Sequence, residues 1–237
     1  MPQIADARPA STVVLLRDTL RGMETLLLKR NKAVKFAGGL WVFPGGALEP
    51  QDMEEAGGDI AKAACLAAAR EAEEECGLRP DIDSMVQLSH WTTPIVEPKR
   101  FKTWIYAAPL ASEARVIIDG SEIHEAMWIN IQDALDQHKD GDLGIMPPTF
   151  VTLASLVGYE SVAAMLIQQR DRVPQSVQPV LTYDAGAPAL LFAGDAGYEA
   201  SDSTIPGARH RAILENKNWI YLHSEVDKNY PSFINPV

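Results

Sequence analysis

The chain has 237 residues, of which 46% are hydrophobic and 22% charged, with a formal net charge of −11. That composition is ordinary for a globular protein and excludes wholesale disorder or a fibrous repeat. The acidity argues against a general binder of nucleic acid or of an anionic membrane, so a phosphorylated ligand would need a local basic cluster or a metal.

In chain order, Thr12–Leu16 and Glu24–Leu28 are β-branched or leucine runs separated by turn residues Arg17–Gly22, and they read as paired strands. Lys29–Gly39 is basic and glycine-ended, a loop. Trp41–Phe43 is a short strand stopped by Pro44-Gly45-Gly46. Ile60–Cys76 is alanine-rich and predicts a helix ended by Gly77. Ala61, Ala64, Cys65, Ala68, Ala72 and Cys76 repeat at helical spacing and predict one narrow buried face.

Strands are expected at 84–91, 102–108, 114–118 and 125–129, and helices at Ile131–His138 and Phe150–Gln169. Residues 180–223 alternate short apolar runs with Gly, Pro and Asp, a small β-rich extension. The expected fold class is α/β, layered, with an appendage.

Cys65 and Cys76 are the only cysteines, which suits a reducing compartment. No apolar run approaches the roughly 20 residues of a membrane span, and Met1–Pro9 has no apolar signal core. The expectation is a cytoplasmic protein with no membrane or nucleic-acid partner. The five histidines, His90, His124, His138, His210 and His223, show no metal-like spacing, and His210 reads as part of a surface basic turn.

The chemistry concentrates in Phe43–Leu78. At about 100° per residue, Glu71, Glu74 and Glu75 share an arc of about 100° on one helical turn. Crowded carboxylates repel, and a hard divalent cation relieves them. A solvated acidic face is the alternative. Arg70 is placed to orient a neighbouring carboxylate, and Gly45-Gly46 lets the backbone approach the helix closely.

These residues resemble the Nudix hydrolase motif: Gly, five residues, Glu, seven residues, then Arg-Glu-U-x-Glu-Glu-x-Gly-U, with U aliphatic. Gly46 stands at the first glycine and Asp52 at the first acidic position. Arg70-Glu71, Glu74-Glu75, Gly77 and Leu78 match the second half. Ala72 is a small form of the aliphatic position. The gap between Asp52 and Arg70 is 17 residues, an insertion of ten that includes Gly57-Gly58 and is expected to loop out ahead of the helix.

The resemblance implies a Nudix α/β/α sandwich over 8–145, a helical segment over 146–172 and a β-rich extension over 173–237. It implies hydrolysis of a diphosphate linked to another group, with Mg²⁺ or Mn²⁺ held by Glu71, Glu74, Glu75 and the Gly46 carbonyl. Arg70 belongs to the catalytic set, and the general base is Glu74, Glu122 or Glu125.

A second resemblance, to the coenzyme A and acyl-coenzyme A diphosphatase branch, rests on Leu27, Arg30, Gly39 and Phe43-Pro44-Gly45-Gly46, with Lys35 keeping a second positive charge. Scattered likeness continues through 91–104, 122–128 and 147–149. It implies phosphate contacts from Arg30, Lys35, Gly45, Gly46, Lys99 and Arg100; Trp91 and Trp104 are candidates for adenine stacking, although tryptophan on a strand is more often a core residue. The products would be 3′,5′-ADP and (acyl-)4′-phosphopantetheine. Cleavage of ADP-ribose or another nucleotide diphosphate derivative is the runner-up. A nucleotide-sensing module without turnover is the alternative of another class. The extension is expected to form either a homodimer contact or a wall of the substrate cleft.

Overall fold

The computed structural model describes residues 5–32, 37–118 and 120–234. Its first two strands, β1 (Arg8–Thr19) and β2 (Gly22–Arg30), form a hairpin joined by Leu20 and Arg21. Both strands run further toward the turn than the apolar runs alone indicate. Their pairing covers only Leu16–Thr19 with Gly22–Thr25, and beyond it they part. Two short strands fill the gap: β3 (Trp41–Val42) pairs with β2, and β4 (Gly45–Ala47) pairs with β1. Phe43 and Pro44 cross between them, and the Pro44 carbonyl accepts the Val13 N–H at 3.0 Å.

The large sheet is completed by β5 (Val86–Thr92), β6 (Phe101–Pro109), β7 (Ile123–Asn130) and β8 (Gln175–Val177). Its path is β3-β2-β1-β6-β5-β8, with β7 on β2. Strand β6 runs parallel to β1, so β1 sits inside the sheet. This explains the unbroken apolar run Val13–Leu16: both faces are covered, and all four side chains are buried. Val13 and Leu15 face one helix layer, and Val14 and Leu16 the other.

Helix α1 (Pro50–Glu55) and helix α2 (Ile60–Cys76) lie toward the first layer. Asp59 caps α2 through the N–H groups of Ala61 and Lys62, and Gly77 ends it at φ 72°. The opposite face carries α3 (Ile131–Lys139), α4 (Pro147–Ser155) and α5 (Val162–Arg170). The last two occupy the stretch read as one helix, 150–169. Gly158 at φ 88° breaks it, and Ser161 caps the new start through the Ala164 N–H.

Three other expectations are corrected. Residues 114–118 form no strand; they pass the end of α2, where Ile117 donates its N–H to Cys76 and packs on Gly77. The insertion does not simply loop out, because α1, started by Pro50 ahead of Asp52, runs on into it as far as Glu55. The buried face of α2 is broader than predicted. Ala63 and Leu66 are buried beside Ala56, Met53 and Ile82, while Ala61 is exposed. The end of α1 and the turn after it supply a second surface against which α2 packs.

The C-terminal region forms a separate antiparallel sheet, β12-β11-β10-β9, from β9 (Val180–Asp184), β10 (Ala187–Leu191), β11 (Arg209–Glu215) and β12 (Asn218–Ser224). Its buried Leu190, Phe192 and Ala212 join the core behind the large sheet. His138 stitches the two parts together: its Nδ1–H donates to the Leu143 carbonyl at 2.8 Å, and its Nε2 accepts the Trp219 N–H at 2.9 Å. The excursion between β10 and β11 is organised by Arg211, fully buried against Asp195 at 2.7 Å and Asp184 at 2.6 Å. Among the described residues, no helix is long and apolar enough to cross a membrane.

Candidate active site

The parting of β1 and β2 creates the site. It lets β4 lie along β1 so that Gly45 and Gly46 face α2. Gly45 donates its N–H to Glu75 Oε2 at 2.9 Å. A side chain at Gly45 would meet the Ser11 carbonyl and come within 2.7 Å of Thr12 Cα. At Gly46 it would run into the Glu71 carboxylate. Glycine is needed at both positions, for the sheet at one and for the helix at the other.

Arg70 is the organiser. Its Nε and Nη2 grip the two oxygens of Asp52 at 3.2 and 3.0 Å. Its Nη1 donates to Glu71 at 3.0 Å and to Glu74 at 3.2 Å, and its Nη2 also reaches the Ala47 carbonyl. Burial alone would lower the Arg70 pKa; the hydrogen bond to Asp52 and the charges of Glu71 and Asp52 outweigh it and raise it. Asp52 is 3% exposed, and its carboxylate also accepts the Glu49 N–H at 2.8 Å. The inserted ten residues therefore leave the Asp52–Arg70 pair intact. The start signal Glu49-Pro50, three residues before Asp52, was the readable clue.

Burial raises the Glu71 pKa, Arg70 opposes that, and Glu74 and Glu49 add to it. Glu75 is pushed up to about 7, chiefly by burial. The Gly45 N–H and Arg30 counter the rise, and Glu71 and Glu122 reinforce it. Oxygen donors crowded in this way fit a hard divalent cation. The structure brings together Glu71 and Glu75. Glu74, its side chain 58% exposed, is tied to Glu71 through the shared Arg70 Nη1. Among the described residues, no three acidic, histidine or cysteine side chains are already drawn into a ligating group.

Arg30 lies close enough to act on Glu75, and its Nη2 pairs with Glu122 at 2.7 Å. Its buried Nε has no partner among the described residues. Glu122 thus belongs to the site. Glu125 is turned to Lys29 at 3.1 Å and is exposed. Lys35 lies outside the described residues. Lys99 is exposed, over the Phe101 ring at 5.2 Å.

Several readings change. Arg100 is buried, and its Nε and Nη1 donate to the carbonyls of Thr93 and Ala5, so it anchors the 93–100 loop instead of facing a ligand. Trp91 and Trp104 take the alternative role, as core residues, which is the commoner one for tryptophan on a strand. His210 is no surface turn; it is 2% exposed.

A NUDIX domain model matches residues 6–147. The chain belongs to the NUDIX family. Putative nudix hydrolase 7 of Caenorhabditis elegans is 25% identical over 226 residues, covering 81% of this chain and 74% of its own. The acyl-coenzyme A diphosphatase NUDT19 of Xenopus laevis is 27% identical over 93 residues, 38% of this chain and 24% of its own length. Among solved structures, a NUDIX hydrolase from Alicyclobacillus acidocaldarius superposes with a TM-score of 0.64 at 24% identity, over 70% of this chain and 97% of that one. That likeness is one of fold. The protein is a Nudix-type hydrolase, and hydrolases of this family generally use divalent metal ions.

Proposed function

We propose that this Nudix hydrolase cleaves the diphosphate of coenzyme A or acyl-coenzyme A, with Mg²⁺ or Mn²⁺, to give 3′,5′-ADP and (acyl-)4′-phosphopantetheine. The observation that carries the substrate class is Arg30. Its guanidinium stands beside Glu75 and Glu122 with a buried Nε–H that has no partner among the described residues, a donor suited to a phosphate oxygen. The shared Leu27–Gly46 pattern and the partial match to an acyl-coenzyme A diphosphatase support the same reading.

Glu71 and Glu75 would hold the cation, with the Gly46 carbonyl and Glu74 completing the set. The cation would supply charge neutralisation on the diphosphate and a lowered pKa for the attacking water. Arg70 keeps Glu71 and Glu74 oriented. Glu122 accepts the water proton as the water oxygen bonds to phosphorus; the bridging P–O bond breaks, and its electron pair leaves with the departing phosphate. Two free cysteines suit a reducing, cytoplasmic setting: the sulfur of Cys65 lies against Met85, and that of Cys76 donates to the Ala72 carbonyl.

The test offers purified protein coenzyme A and ADP-ribose separately with Mg²⁺ and identifies products by mass. Formation of 3′,5′-ADP from coenzyme A, with little ADP-ribose cleaved, is expected. Cleavage of ADP-ribose alone overturns the coenzyme A assignment and leaves the hydrolase intact.

A further inference from the structure

Between α3 and α4, three successive carbonyls each accept from a different element. Leu143 accepts from His138 Nδ1 of α3 at 2.8 Å, Gly144 from the Trp41 N–H of β3 at 2.9 Å, and Ile145 from Trp219 Nε1 of β12 at 3.1 Å. Trp219 is itself fixed, because its backbone N–H donates to His138 Nε2 at 2.9 Å. Leu143 and Ile145 are buried in the same core as Trp41 and Phe43, and the Trp219 side chain packs on that core. An indole N–H is a donor only. Through this one donor the C-terminal sheet reaches a segment that is bonded directly to β3.

Strand β3 leads into the site. It has only two residues, and on one side they pair with Leu28 and Lys29 of β2. On the other side Trp41 forms a parallel bridge with Ile145. A strand shorter than usual has little pairing of its own and takes its place from its flanks. Ahead of it, the Arg30 N–H donates to the Leu40 carbonyl and the Gly39 N–H to the Arg30 carbonyl, each at 3.0 Å. Beyond it, Phe43 is buried and Pro44 leads to Gly45, on Glu75, and Gly46, against the Glu71 carboxylate. Trp41 thus stands between the two halves of the site, Arg30 on one strand and the paired glycines on another.

We propose that Trp219 is a positioning residue for the diphosphate site: its indole N–H fixes the Ile145 carbonyl, and the bridge from 144–145 to Trp41 sets Gly45 and Gly46 against α2. The C-terminal sheet is thereby a brace for the site. Its effect on metal binding and turnover rests on the reading of Gly46, Glu71 and Glu75 as the cation site; the placement of the glycines does not.

Amide hydrogen exchange of the full chain, read by NMR at Trp41 and Gly45, tests the proposal. Trp219→Phe keeps an aromatic ring and the backbone N–H and removes the indole donor. Exchange at both amides should rise at least about fivefold, the worth of one hydrogen bond, with β10 unchanged. Mn²⁺ affinity, titrated by electron paramagnetic resonance, should fall by a similar factor. Tyr221→Phe, further along β12, removes the hydroxyl that accepts the Phe233 N–H and should leave both readouts as in the wild type. If Trp219→Phe does not fold, β-(3-benzothienyl)alanine at position 219 keeps the bicyclic shape without the N–H and gives the same readouts. Unchanged exchange at Gly45 on loss of the donor, or an equal rise in Tyr221→Phe, overturns the proposal. So does an unchanged Mn²⁺ affinity where Glu71→Gln abolishes binding. Glu71→Gln that binds Mn²⁺ as tightly as the wild type overturns the cation site instead, and the exchange at Gly45 then decides the brace alone.

Discussion

Asp52 lies eighteen residues before Arg70, yet its two carboxylate oxygens meet the Arg70 guanidinium at 3.2 and 3.0 Å in a nearly dry setting. The pair closes the ten-residue insertion back onto α2. Removing one partner of a buried ion pair leaves the other uncompensated. Asp52→Ala should therefore cost about 3 kcal/mol of stability. It should also release Arg70 to draw on Glu71 and Glu74, lowering turnover by about a hundredfold through misplacement of those carboxylates. Urea unfolding and steady-state rates check both. Unchanged turnover in a folded Asp52→Ala protein would show that the clamp does not orient the site.

The two glycines of the site should fail differently. Gly45→Ala drives a methyl group into the backbone of β1, at Ser11 and Thr12, which cannot move alone. Overpacking of this kind costs about 1–3 kcal/mol, and the loss should appear as a lower melting temperature. Gly46→Ala instead displaces the Glu71 carboxylate, the end of a side chain. Its melting temperature should shift less, while turnover falls further. The reverse order would contradict the placement of Glu71 over Gly46.

Glu75→Gln retains the shape of the carboxyl and keeps an oxygen for the Gly45 N–H. The fold should survive, and turnover should fall by orders of magnitude. Between the two later glutamates the expectation is unequal. Glu122→Gln should cost about 10²–10⁴ in rate if it accepts the water proton. Glu125→Gln, which only releases an exposed pair with Lys29, should remain near the wild-type rate. A full rate in Glu122→Gln would move the base elsewhere.

Acid should loosen the C-terminal sheet. Burial lowers the His210 pKa from its ordinary 6.5 to about 4, with His223 adding to the fall and the Ala193 carbonyl and Asp195 opposing it. Burial also lowers His138, whose Nε2 must stay unprotonated to accept from Trp219. A histidine with a depressed folded pKa binds fewer protons folded than unfolded, so stability falls with falling pH. For His210 the loss begins below about pH 6.5 and reaches about 3 kcal/mol near pH 4. Denaturation midpoints measured across that window should fall less steeply in His210→Phe. An unchanged slope would mean that His210 does not carry the effect.

Local pattern alone was enough for the central hairpin, the strand before Pro44, the helix Ile60–Cys76 with its glycine stop, and the carboxylates grouped on one turn of that helix. These depend on interactions within a few residues, which spacing records directly. Depth and pairing across the chain are not so recorded. Arg100 was read as a phosphate contact and His210 as a surface turn, yet each is buried by segments distant in sequence. The long gap between Asp52 and Arg70 left their pairing open in the sequence, and the short helix from Pro50 folds Asp52 onto Arg70. Glu122 and Glu125 were indistinguishable on paper, and the bulge in the β2–β7 pairing at Lys29 and Arg30 carries one to Arg30 and the other to Lys29. Burial and ion pairing arise only when remote surfaces close on each other, so packing assigned these roles and periodicity did not.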